Sequence, residues 1–339
     1  MRPIALLMND LHISKDNILE YEKNWDEALS VCKHEGANRI IIGGDVFTTR
    51  GVQQLLPMKI VAKCFEKAKQ NDIEVFAAFG NHDCPVYGET NNWLDLYAAQ
   101  VIVIKDWWYL KMNKYTLAVC PYFPEETMMP DKLKELDDFG TGNGIAPSDF
   151  ILYLHAGVHG ALGDLDVSNE IPTELLTKYG KVLCAHYHNR TTIKGTKIEY
   201  IGSSRAHTFG EDEEKGYTLL YDDGTTKFIK NQVNTRYVTD DVEFSDLADW
   251  KSQYDERYKV RVRIHCASSD VDTINREELF ERGAHKIEFV TEKIQAIKTE
   301  QSGIDEKFDN KGLQTEYRTF CQEKNIDSRF GIDYLTKTK

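Results

Sequence analysis

In the first two-thirds of this 339-residue chain, five apolar runs each end in a short polar block: Asp10-Leu11-His12, Gly44-Asp45, Gly80-Asn81-His82-Asp83, His155 and His186-Tyr187-His188. Blocks so far apart can act together only if the fold brings the ends of distant strands to one rim. Open α/β sheets do this, because their ligand crevice lies outside the carboxyl ends of the strands. The blocks carry carboxylates, imidazoles and one amide oxygen, hard to borderline donors in sufficient number for two divalent cations. A centre of that kind activates water against phosphorus. Gly43-Gly44 ahead of Asp45 and Gly80 ahead of Asn81 permit the tight turns and close backbone approach it needs.

The periodicity supports such a frame. Ile4 to Met8 reads as a buried strand, Tyr21 to His34 as an amphipathic helix and Arg39 to Ile42 as a second buried strand. Leu55 to Gln70 has helical spacing, with Leu56, Ile60, Cys64 and Ala68 placed on one face, and Glu74 to Phe79 follows as a strand. Later strands are expected at Phe150 to Leu154, Lys181 to Ala185 and Lys197 to Ile201. A hairpin follows, turning through Asp222-Asp223-Gly224 between Tyr217–Tyr221 and Thr226–Ile229. The outcome is an α/β core built on one mixed sheet or two stacked sheets.

Composition narrows the class. Hydrophobic and charged fractions of 41% and 29% are those of a folded globular protein with a sizeable core. A net charge of −13 argues against a protein that coats nucleic acid, but not against a nuclease, because cations can supply the positive charge at a reacting phosphate. Seven scattered cysteines without a CxxC pair fit a reducing compartment better than a disulfide framework or zinc ribbon. Ile4 to Met8 is too brief for a signal sequence and no run approaches membrane-spanning length, so a cytoplasmic protein with no membrane partner is expected.

Taken singly, the blocks are weak: Asp-x-His and Gly-Asp are common, and an isolated His155 is ordinarily a core or loop histidine. Gly-Asn-His-Asp directly after a strand is sharper, since turn chemistry alone does not demand four specified residues. In this order they resemble the calcineurin-like metallophosphoesterase superfamily, whose pattern runs Asp-x-His, Gly-Asp, Gly-Asn-His-Asp/Glu, His, Gly-His-x-His. The resemblance implies a four-layer α/β/β/α core and two divalent metal ions. Asp10, His12, Asp45 and His188 would hold one ion and Asp45, Asn81, His155 and His186 the other, with Asp45 bridging. It assigns His82 to the scissile phosphate and the leaving oxygen, and Asp83 to orienting the His82 ring. Ala185 stands where the family usually has glycine, which puts the local backbone in question. His34, His159, His265 and His285 are not needed as ligands, and His207 is placed near the rim without a catalytic role.

Downstream of the last ligand pair, Glu199-Tyr200-Ile201-Gly202-Ser203-Ser204, Thr208-Phe209-Gly210-Glu211 and Lys215-Gly216-Tyr217 are similar to the corresponding stretch of the SbcD family of DNA repair nucleases. Gly44-Asp45-Val46-Phe47 fits that family's Gly-Asp-x-Phe, with Thr48 in place of the acidic residue often found next. Tyr258, Val260, Val262, Ile264 and Cys266 alternate with Lys259, Arg261, Arg263 and His265. That strand, a helix at Arg276–Arg282 and a strand at Lys286–Val290 make a small βαβ unit, similar in size and position to a capping domain. Beyond a polar stretch at Thr299–Asn310, Leu313, Tyr317, Phe320 and Cys321 form an apolar stripe at helical spacing.

The expected organisation is therefore a nuclease domain over 1–235, a capping domain over 236–295 and a linker with a C-terminal helix over 296–339. By resemblance the protein is a DNA exonuclease and endonuclease using Mn²⁺, with Mg²⁺ or other ions possible. It would work as a homodimer with an SbcC-like coiled-coil ATPase. The helix at Leu55–Gln70 and the segment Trp93–Ala99 are the candidates for the dimer contact. The rivals are a stand-alone phosphodiesterase or phosphatase and a non-catalytic scaffold; the complete ligand set counts against the scaffold.

Overall fold

A computed structural model describes residues 1–163 and 170–291, together with 317, 318 and 321. Strands β1 (Pro3–Met8), β2 (Arg39–Ile42), β3 (Glu74–Ala78) and β4 (Ile102–Ile104) alternate with helices α1 (Ile18–Glu35) and α2 (Leu55–Gln70). There follow β5 (Trp108–Lys111), β6 (Thr116–Cys120), α3 (Met129–Asn143), β7 (Phe150–His155), β8 (Lys181–Ala185), β9 (Thr191–Thr192) and β10 (Ile198–Tyr200). Last come β11 (Gly216–Tyr221), β12 (Thr226–Lys230), β13 (Arg236–Glu243), β14 (Tyr258–Cys266), α4 (Arg276–Glu281) and β15 (Lys286–Thr291).

Of the two sheet arrangements the sequence left open, the protein has two stacked sheets. One has the order β12-β11-β1-β2-β3-β4, the other β5-β6-β7-β8-β10-β9. Within the first, β1 to β4 are parallel and β11 runs antiparallel to β1; within the second, β6, β7, β8 and β10 are parallel. Strands buried on both faces need continuous apolar sequence, which Ile40-Ile41-Ile42 supplies. Alternation then sorts the side chains. Ile4, Leu7, Ile41 and Phe76 meet Leu117, Val119, Tyr153 and Leu183 between the sheets. Leu6, Met8, Ile40 and Ile42 pack outward with Trp25 of α1 and Phe65 of α2, while Leu152 and Leu154 pack outward with Leu133 and Leu136 of α3. These are the four layers α/β/β/α.

Two of the expected elements differ from the sequence reading. In α2 the buried stripe is Pro57, Val61, Cys64, Phe65 and Ala68, rotated from the one expected, so Leu55 and Leu56 lie 67% and 56% exposed. The cause is the aromatic: Phe65 seats against Trp25 at 5.6 Å and Tyr97 at 5.4 Å and sets the helix rotation. The small βαβ unit gains a strand, because β13 joins a three-stranded sheet of order β13-β14-β15. Its few apolar residues, Tyr237, Val238 and Val242, are broken up by Thr239, Asp240 and Asp241 and form no apolar run. Contacts divide the chain into a larger unit, Met1–Ile264 with Asn275–Glu288, and a smaller one holding His265–Ile274 and the residues from Phe289 on. Nearly all of the C-terminal helix expected within 296–339 lies outside the described residues.

The register places the site. Met8 is level with Ile42 and Ile42 with Ala77, so Asp10, Asp45 and Asn81 emerge along one edge of the first sheet. His155 is level with Ala185 in the second, which sets His155 beside His186.

Candidate metal centre

Sharp turns at the strand ends aim the polar blocks inward. Asp10 (φ 51°), His12 (45°), Asp45 (54°) and His186 (96°) all hold left-handed backbone. Such a conformation costs on the order of 1–3 kcal/mol per residue and persists only where the surroundings enforce it. Here the turns brace one another: Asp10 N–H donates to Gly44 O at 3.0 Å, and the N–H groups of Leu11 and His12 donate to Asp45 O at 2.8 and 3.0 Å. Gly44 (φ 112°) admits no side chain, since a Cβ there would sit 2.3 Å from His155 Nδ1. At Gly80 a Cβ would sit 2.1 Å from Asp45 Oδ1.

All seven predicted ligand residues converge. Asp45 Oδ2 lies 3.6 Å from His12 Nε2 and 3.5 Å from His155 Nε2, which puts it between two groups of donors. On one side His12 Nε2 and His188 Nε2 are 3.1 Å apart, and Asp10 and His12 share a compact cluster with Asp45. On the other, Asn81 Oδ1 is 3.1 Å from both His155 Nε2 and His186 Nδ1. Asp10, His12, Asp45, Asn81 and His155 are buried. A family model described as calcineurin-like phosphoesterase matches residues 5–274.

The chain belongs to the calcineurin-like phosphoesterase family. Among curated proteins none matches it. Seventy-five solved chains match. One is a crystal structure of the Pseudomonas putida nuclease MPE, 14% identical, with a TM-score of 0.28; the match covers 57% of this chain and 66% of that one.

The residues of this phosphoesterase fit a pair of divalent cations. Asp10 Oδ1 is buried with no hydrogen-bond partner, a costly condition unless a cation takes up the lone pairs. Burial drives the imidazoles of His12 and His186 down to about 4, so both are neutral donors at pH 7. The His12 and His188 imidazole nitrogens facing each other at 3.1 Å suit a shared electrophile. His155 departs from His12 and His186. Burial alone would lower it, but the Asp45 carboxylate outweighs burial and holds the imidazole up at about 9. The same partnership holds the Asp45 carboxyl far below the usual range, against its own burial. A site that draws a proton into its centre in this way has a deficit of positive charge.

Ligand orientation comes from a further layer. His155 Nδ1 donates to Gly43 O at 2.8 Å, His12 Nδ1 lies 3.3 Å from Phe47 O, and His188 Nδ1 meets Glu211 Oε1 at 2.9 Å. Asn9 donates from Nδ2 to Asp10 Oδ2 and is itself held by the Tyr153 hydroxyl, 2.8 Å from Asn9 Oδ1. Sequence reading did not identify Asn9, Arg205 or Glu211 as parts of the site. The only signal was the Phe209-Gly210-Glu211 segment, read for its resemblance rather than for a role.

His82 lines the same cavity, and its Nδ1 donates to the Thr48 carbonyl at 2.7 Å, leaving Nε2 for the site. Asp83 does not orient that ring, contrary to expectation. Its wholly buried carboxylate is consumed by the backbone N–H groups of Val46 (3.2 Å), Phe47 (3.0 Å) and Gly80 (2.9 Å). Asp83 therefore ties the Gly-Asp and Gly-Asn-His turns together and acts on the chemistry only through them. Ala185 is also settled: the left-handed residue is His186, so the alanine is an ordinary strand residue and needs no glycine.

Proposed function

We propose that this phosphoesterase is a Mn²⁺-dependent DNA exonuclease and endonuclease subunit that works as a homodimer with a coiled-coil ATPase of the SbcC type. The observation that carries the hydrolytic part is the position of Asp45 Oδ2 between two complete donor groups, with His82 beside them. The nucleic-acid part draws on the Tyr200–Tyr217 resemblance and on a cavity of about 470 Å³. That cavity runs from His12, Asp45, His186 and His188 past Thr208 to Tyr237 and Lys259, an aromatic and a cation suited to a base and a phosphate.

When bound, two divalent cations lower the pKa of water and neutralise charge at a phosphoester. Asp10, His12, Asp45 and His188 would hold one, and Asp45, Asn81, His155 and His186 the other. The His82 main chain donates to Asp45 Oδ1 at 2.8 Å, which ties the His82 backbone to the Asp45 carboxylate. With Nδ1–H held by Thr48, the imidazolium form of His82 presents Nε2–H to the leaving oxygen and gives up that proton as the P–O bond breaks.

The deciding experiment is Mn²⁺-dependent degradation of linear DNA, with Asp10→Ala as the inactive control. Cleavage of a small nitrophenyl phosphodiester without any DNA degradation would replace this reading with a stand-alone phosphodiesterase, a reading the net charge of −13 favours.

Metal binding must displace the His155 proton. Below pH 9 the apparent Mn²⁺ affinity should therefore rise by at least about tenfold per pH unit, with at least one proton released, as measured by calorimetry in buffers of different ionisation heat. The metal-free protein should show the opposite trend. A raised histidine pKa stabilises the fold fully below about 6.5, and that contribution is lost as pH rises through about 9.

The dimer reading draws on exposed apolar side chains at Val52, Leu55, Leu56 and Leu96, which single-chain packing does not use. A Leu55→Glu, Leu56→Glu double variant should run as a monomer in size-exclusion light scattering while the wild type runs as a dimer. No described helix is long and apolar enough to cross a membrane.

A further inference from the structure

The arch Asp10-Leu11-His12 carries two metal-ligand candidates on left-handed backbone, and each of its six main-chain polar groups is engaged. Its three N–H groups are taken by Gly44 and Asp45, residues of the Gly-Asp block itself. Its carbonyls are held chiefly from elsewhere. Asp10 O accepts from His207 Nε2 at 2.8 Å, Leu11 O from Arg205 Nε at 2.9 Å, and His12 O from Arg205 Nη2 at 3.0 Å. Asn17 and Thr48 add second and third donors to His12 O at 2.9 and 2.7 Å.

We propose that Arg205 and His207 form a clamp that positions Asp10 and His12 for the metal. The proposal rests on the two-cation reading of the site. Arg205 is 3% exposed, and its planar fork reaches two successive carbonyls while Nη1 pairs with Glu20 at 3.2 Å; a lysine has no such fork. His207 adds a second grip. Since a carbonyl only accepts, His207 Nε2 carries the proton, which commits that nitrogen to the arch. Its ring stands edge-on to His12 at 5.0 Å and tilted against His188 at 4.6 Å. Glu211 completes the lattice: one oxygen takes the His207 main-chain N–H at 3.0 Å, the other His188 Nδ1, and the wholly buried Lys215 lies 3.2 Å from it. One short segment after β10 thus steadies three of the four donors on one side of the centre. Without the clamp the arch is free to leave its left-handed conformation and carry both side chains away.

The test is Mn²⁺-dependent thermal stabilisation and calorimetry on the full chain, for wild type, Arg205→Lys, His207→Leu and His207→Gln. His207→Leu should raise the Mn²⁺ concentration for half-maximal stabilisation by about 10–100-fold while the metal-free Tm stays near wild type, and Arg205→Lys should raise that concentration likewise. His207→Gln, whose side-chain amide can still donate to Asp10 O, should restore most of that affinity. A His207→Leu protein with the wild-type midpoint, or a His207→Gln protein no better than His207→Leu, overturns the clamp; the His207 pair decides even where Arg205→Lys does not fold. A wild-type protein that Mn²⁺ fails to stabilise overturns the metal-centre reading, and the clamp with it.

Discussion

An Asp45→Asn variant is expected to lose hydrolytic activity to below detection and to show no thermal stabilisation by Mn²⁺. Asparagine keeps the size of the side chain and tolerates the left-handed backbone at this position (φ 54°), so the change isolates the charge. What is lost is the one oxygen that stands 3.6 Å from His12 Nε2 and 3.5 Å from His155 Nε2, and with it the link between the two donor groups. The metal-free protein offers an independent readout. Asp45 is the main group that holds the His155 imidazole up at about 9 against burial, so in the variant only Asp10 and the Gly43 carbonyl oppose burial and the pKa falls. NMR titration of the His155 ring should show a fall from about 9; an unchanged titration would mean that the carboxylate does not govern the centre.

A His82→Gln variant is expected to bind Mn²⁺ with wild-type affinity and to lose about 10²–10⁴-fold in kcat, the usual worth of a positioned proton donor. The ring contributes nothing to the seven-residue donor set, and its structural tie is a single hydrogen bond from Nδ1 to Thr48 O. The loss should shrink for substrates whose leaving group needs no proton, such as a nitrophenyl ester. Equal loss on activated and unactivated esters would point to a binding role. An Asp83→Asn variant should behave differently, lowering the Tm through the turns it braces, since its partners are Val46, Phe47 and Gly80 rather than His82.

Much of this was legible in the chain. Most of the strands that carry the site could be placed because a strand buried on both faces must be a short apolar run, as Ile40-Ile41-Ile42 is, and such runs stand out against polar neighbours. Strands β4, β5, β6, β9 and β13 and helix α3 were not anticipated; Arg236–Glu243 holds only Tyr237, Val238 and Val242 as apolar residues, without a regular alternation. The face of α2 was misread for a related reason. Helical spacing predicted the stripe Leu56, Ile60, Cys64 and Ala68, and only the fit of Phe65 against Trp25 and Tyr97 turns the helix to the face that is buried.

By itself the sequence determined which donors gather and in what order, because metal ligation demands particular side chains at strand ends and those requirements are local. Only the tertiary structure decided how the donors are held. Asp83 adjoins His82 in the chain yet serves three backbone N–H groups, whereas Thr48, 34 residues away, anchors the His82 ring. Arg205 and His207 reach the Asp10 arch from 193–197 residues further along the chain. Hydrogen-bond partners are set by distance in space and by which carbonyls the sheets leave unpaired, and neither quantity is written in any local pattern of residues.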